Sequence, residues 1–168
     1  MAADIQIKYD ASAEYTITTA SLATSATLVA GRESTAVDNT ATLALDYLVS
    51  GFFKVHSSAP TVNKNILVYA YGSLNDTPLY PDVLDGTDSD ETFTLEQLNT
   101  ACQLLHSITV SATVSLTYYF GPVGLAQVFG GYLPKFHGLF ITQNTGQILS
   151  STEADCKLFY TPVYGQTV

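Results

Sequence analysis

Charged residues are scarce. Asp, Glu, Lys and Arg together supply 12% of the 168 residues, about half the share of about 25% that is usual for globular domains. Bases are the rarer sign, and Lys8, Arg32, Lys54, Lys64, Lys135 and Lys157 lie scattered along the chain against 15 acids, for a net charge of −9. That pattern excludes the clustered basic footprint of a nucleic-acid-binding protein and argues against adhesion to anionic lipid. No apolar run approaches the ~18 residues of a membrane-spanning helix. The opening MAADIQIKYD has neither a basic region nor an apolar stretch, so no secretory leader is expected. The chain has two cysteines, and in a reducing cytosol Cys102 and Cys156 are expected as buried free thiols. Coiled coils, collagen-like repeats, disordered tails and disulfide scaffolds are excluded by the same composition.

Thr (22), Ser (14), Tyr (11) and Phe (8) are abundant, and β-branched and aromatic side chains suit a pleated, half-buried surface. A chain of this length folds as one domain that hides roughly 68–70% of its unfolded surface. Alternation marks Ile5–Tyr9 and Tyr15–Thr19 as strands within an N-terminal arm, residues 1–20, belonging to the same unit as the main domain, residues 21–168. Arg32–Thr40 is polar and reads as a loop. Leu43–Val49 and Phe52–Val55 read as one long strand with a bulge at Gly51. Ile66–Tyr71 is the strongest strand signal. Residues 73–92 break the pattern and read as a long loop of functional or interaction character. Thr94 and Gln97 have the spacing of a capping box, predicting a short helix over 95–101. Strands follow at 103–110 (or the helix runs on to Leu105), at Ser115–Phe120 (stopped by Gly121-Pro122), at Phe136–Thr142, and at Lys157–Thr161 (with Pro162 ending it or at a sheet edge), with a helical turn over Gly124–Phe129. The fold predicted is all-β, an antiparallel β-sandwich of jelly-roll-like type with one or two short helices.

Chemistry is sparse. His56, His106 and His137 have no shared metal-ligand spacing and read as structural. There is no nucleophile elbow, Walker lysine or dinucleotide fingerprint, and no enzyme is expected. A pair of acids from the 82–96 region, with Asp85, Asp88 and Glu91 as candidates, is the one hydrolase arrangement left open. The acidic run Asp82-Val-Leu-Asp85-Gly-Thr-Asp88-Ser-Asp90-Glu91 is the one pointed electrostatic feature. Asp85, Asp88 and Asp90 form a candidate Ca²⁺ loop, although the EF-hand order is missing. The favoured reading is a solvated loop or one docked on a basic partner, with no cofactor.

The stretches Ser21–Asn39, Tyr47–Gly51, Val68–Ser73, Asp82–Gly86, Gly130–Ile141, Asn144–Gly146 and Tyr160–Val163, taken together, resemble small structural proteins encoded by tailed bacteriophages. The resemblance implies a small β-sandwich located in the virion that decorates or cements a capsid, or sits at a vertex, collar or fibre. The implied partner is the major capsid protein or a neighbouring virion protein, with the chain itself a dimer or trimer. Candidate contacts are Ile5, Ile7 and Tyr9 of the arm and Asp82, Asp85 and Asp88 of the acidic run. The arm would add a strand to a neighbour or to its own sheet. The alternative is a receptor- or carbohydrate-binding module of a tail fibre or collar, with Tyr71, Tyr118 or Tyr132 stacking on sugar rings.

Overall fold

The computed structural model describes residues 4–167. Its strands are β1 (Ile5–Tyr9), β2 (Ala13–Glu14), β3 (Ala30–Glu33), β4 (Val37–Asp38), β5 (Asp46–Lys54), β6 (Lys64–Ser73), β7 (Ser89–Thr92), β8 (Gln103–Val110), β9 (Thr117–Gly124), β10 (Phe136–Gln143) and β11 (Cys156–Thr167), with the α-helix α1 over Leu95–Ala101. One sheet has the order β1-β11-β5-β9, with β2 beside β11; the other has the order β7-β3-β10-β6-β8, with β4 beside β10. All pairings are antiparallel. The chain is doubled back on itself: β1 pairs with β11, β3 with β10, β5 with β9 and β6 with β8. Successive pairs of this ribbon fall alternately in the two sheets, which is the winding of a jelly roll.

The core forms where the inner faces meet. Along β5 burial alternates strictly, with Tyr47, Val49, Gly51 and Phe53 inward. Ile66, Val68, Leu139 and Ile141 face them from the other sheet in one apolar cluster. β3 lies so close to β10 that a Cβ on Gly31 would stand 2.1 Å from the Ile141 carbonyl oxygen, which requires glycine there.

The connection from β6 to β8 is the unusual element. It crosses the outer face of the β10 sheet, adds β7 to the β3 edge, and returns through α1. Leu84, Phe93, Leu98 and Cys102 on this excursion pack against Tyr71 and Phe140 as a second, smaller core. β10 is therefore buried on both faces. The capping box predicted for α1 is present: the Thr94 hydroxyl accepts from the Gln97 N–H while the Gln97 side chain accepts from the Thr94 N–H.

Four local readings need correction. The polar stretch 32–40 contains β4 and the end of β3, because Glu33 and Ser34 are buried with distant partners. Residues 15–19 alternate in burial as expected but form no ladder, and Thr18 bonds instead to the Asp88 side chain. β9 runs through Gly121-Pro122, which bulge opposite Ser50, so the irregularity lies opposite β5 and not at Gly51; Gly121 has φ +88°, a left-handed conformation open to glycine. β11 runs through Pro162. The Pro162 carbonyl points at the arm, accepting from the Asp10 N–H at 3.0 Å. Its nitrogen therefore faces the gap between β1 and β2, where no ladder bond is lost.

Candidate functional site

The acidic run is tied to its own fold. Glu33, buried on β3, accepts hydrogen bonds from the Gly86 N–H at 2.7 Å and the Asp85 N–H at 3.2 Å. Burial pushes the Glu33 carboxyl up, and the hydrogen bonds from the Gly86 and Asp85 N–H groups pull against that. Asp88 receives the Arg32 Nε at 2.6 Å and the Thr18 hydroxyl at 2.6 Å. Burial acts to raise the Asp88 carboxyl, but the Arg32 guanidinium and the Thr18 donors outweigh it and hold it below the usual carboxylate range. Asp90 takes a second Arg32 nitrogen at 3.0 Å. Asp85 turns back onto Thr87, Asp82 accepts from the Gln97 side chain, and Glu91 accepts from Ser89. Asp88 and Asp90 thus share the Arg32 guanidinium, while Asp85 is turned onto Thr87. Among the described residues no three His, Cys, Asp or Glu side chains gather to hold a metal.

The two outer faces of the sandwich differ sharply. The β10 sheet is roofed by the excursion, whereas among the described residues no second core forms on the outer face of the β1-β11-β5-β9 sheet. Alternation along β5 sends Leu48 and Phe52 outward. Phe52 meets Tyr119 of β9 and Phe159 of β11 at ring separations of 5.4 and 6.4 Å. At the other edge the register sets Ile5, Ile7 and Tyr9 opposite Thr167, Gly165 and Val163, on the same outward side. Ile5, Ile7 and Tyr119 are 77%, 70% and 76% exposed. The lysines of this face are neutralised in place, Lys54 by Asp155 and Lys157 by Glu14. The arm thus completes its own sheet through β1, as one of the two expectations held, and presents an apolar row along that sheet's edge.

A cavity of about 510 Å³ opens where the arm passes the end of the sandwich, lined by Tyr15, Tyr47, Tyr160 and Tyr164 with Asp10, Glu14 and Asp38 among the polar residues. Tyr15 and Tyr47 meet Tyr160 edge-on at 4.8 and 5.4 Å. Behind them His137 is buried, 4.6 Å from the Tyr47 ring between centroids, and its Nε2 has no hydrogen-bond partner. The four tyrosines come from three separate stretches of chain, and no sequence pattern joins them.

The other candidates are dispersed. Tyr71 is buried, donating to the Ser34 carbonyl at 2.9 Å, so it offers no ring to a sugar. The Tyr118 hydroxyl accepts from the Ser111 N–H, and Tyr132 stands 83% exposed on a separate loop. His56 accepts from the Ser58 N–H, and His106 stacks on Phe120. Cys102 and Cys156 are both buried and unbonded, in different cores. Burial pushes their thiols up to about 12 and about 11, away from thiolate chemistry. None of the described helices is long and apolar enough to cross a membrane. The chain matches no known family, no curated protein and no solved structure.

Proposed function

We propose that this chain is a non-enzymatic structural component of a phage particle, which binds the outside of the capsid through its open sheet and stabilises the shell. The observation that carries the reading is the asymmetry of the sandwich. One sheet is covered by its own excursion, while the other exposes Ile5, Ile7 and Tyr9 at one edge and Tyr119 at the other, beside the half-buried Phe52 and Phe159. Exposed apolar side chains on an uncovered sheet offer a surface to a partner. Its fixed lysines are paired internally, so the partner is met by apolar contact and shape more than by charge. β1 is an unroofed edge strand, which a neighbouring strand or a second copy can extend. The winding is one used by viral capsid and lectin domains, which is fold-level support only. The resemblance of the sequence to phage structural proteins names the partner, the major capsid protein or a neighbouring virion protein, with two or three copies of this chain grouped on a symmetry axis.

A protein that prefers the assembled shell to free subunits stabilises that shell by mass action. Purified protein incubated with shells lacking it is expected to co-sediment saturably and to raise the temperature at which they come apart. Absence of co-sedimentation, combined with glycan-array binding, would replace this reading with a receptor-binding one.

A further inference from the structure

The tyrosine-walled cavity plays no part in the open-sheet contact, and its chemistry is selective. Its lining contains the carboxylates of Asp10, Glu14 and Asp38 and no Lys, Arg or His. Among the described residues Glu14 alone of the three forms an ion pair, with Lys157. Asp38 is held ionised by the hydrogen bonds from Thr40, which lower its carboxyl. An anion would be repelled here. Carboxylates only accept hydrogen bonds, so the matching ligand is rich in donors and carries positive charge. Aromatic walls attract such a cation through the ring quadrupole. One of these rings already meets a cation, since the Lys8 ammonium lies 6.0 Å from the centre of the Tyr164 ring. The volume of about 510 Å³ lies within the ~300–1,000 Å³ of ligand sites.

We infer that this cavity receives a basic side chain, the ammonium of a lysine or the guanidinium of an arginine, presented by the partner protein. The partner as the source rests on the proposed shell-binding role, but the affinity of the cavity for the cation does not. On this account the apolar face supplies contact area and the cavity fixes orientation by gripping one charged group at the end of the sandwich.

The test uses the full chain with its tyrosine rings isotope-labelled, titrated with N-acetyl-arginine amide, N-acetyl-lysine amide, the neutral N-acetyl-norleucine amide and N-acetylglucosamine. Saturable shifts of the Tyr160 and Tyr164 ring signals are expected with the two cations only. Asp38→Asn and Asp10→Asn should each weaken them about 2–5-fold, the range for an exposed charge pair. Both carboxylates are at the surface, so these variants keep the fold. Equal shifts from norleucine or the sugar, or a D10N/D38N double variant that titrates like the parent, would overturn the cavity's role. Shell binding by the double variant separates the source. Weakened co-sedimentation supports a partner side chain, and unchanged co-sedimentation overturns it while leaving the open-sheet contact standing. Intact arginine binding by a chain that ignores shells would support the cavity and remove the shell-binding reading alone.

Discussion

His137 is fully buried beside Tyr15 and Tyr47, and burial pushes its pKa down to about 3. The unfolded chain binds a proton at this residue below pH ~6.5. The folded chain stays neutral there until far lower pH. Between these values the unfolded state holds the extra proton, so stability rises with pH, is fully present above ~6.5, and is lost as pH falls toward 3. The loss amounts to on the order of 5 kcal/mol across the whole window. His137→Phe fills a similar volume, removes the unpartnered Nε2 and cannot titrate. Urea midpoints measured from pH ~7 to ~5.5, a window in which ordinary carboxylates stay largely ionised, should fall for the parent and stay nearly flat for the variant. Parallel curves for the two would contradict this assignment.

The excursion between β6 and β8 behaves as one element held down by two buried or half-buried groups, Glu33 and Arg32. Glu33→Ala leaves the Gly86 and Asp85 N–H groups without their acceptor, a loss of about 3–6 kcal/mol from two hydrogen bonds to a charged group. The expected consequence is faster proteolytic cleavage within 74–92 than in the parent, at a temperature where the β5 and β10 strands stay protected; equal cleavage would show that the second core alone holds the excursion. Ile66–Tyr71, the long β5 and the capped helix were legible in the sequence because their signals are local: apolar alternation and a three-residue cap spacing. The excursion read as a free acidic loop because its anchors are remote. Arg32 and Glu33 precede their partners by 50 residues or more, and the polar stretch around them hid β3 and β4. Gly121-Pro122 read as a strand end and Pro162 as a strand end or a sheet edge, since only the pairing shows that one forms a bulge and the other faces a gap. The tyrosine cavity was illegible for the same reason, being assembled from the arm, β5 and the far end of β11.

On the scale of the whole molecule, the winding divides the surface into a roofed side and an open side. The jelly roll was legible as an all-β sandwich from its strand spacing, but which sheet would be left open depended on where the excursion lay. The acidic run is fastened to Arg32, Thr18 and Glu33, and the surfaces proposed for interaction are the apolar face and the cavity. With a net charge of −9, the chain resists indiscriminate association, since like charge on every copy opposes unspecific contact.

The proposed contact with the shell is made by the open sheet and not by the roofed one. The most direct test replaces exposed residues with lysine one face at a time: Ile7→Lys and Tyr119→Lys on the open sheet, against Leu95→Lys on α1 over the roofed sheet. All three side chains are more than half exposed, so melting temperatures should change little, and affinity for shells lacking the protein is the readout. The account predicts that each open-sheet variant weakens shell binding about tenfold or more, as burying an unpaired charge at an interface does, while Leu95→Lys binds like the parent. Equal binding by all three variants, or loss confined to Leu95→Lys, would contradict it.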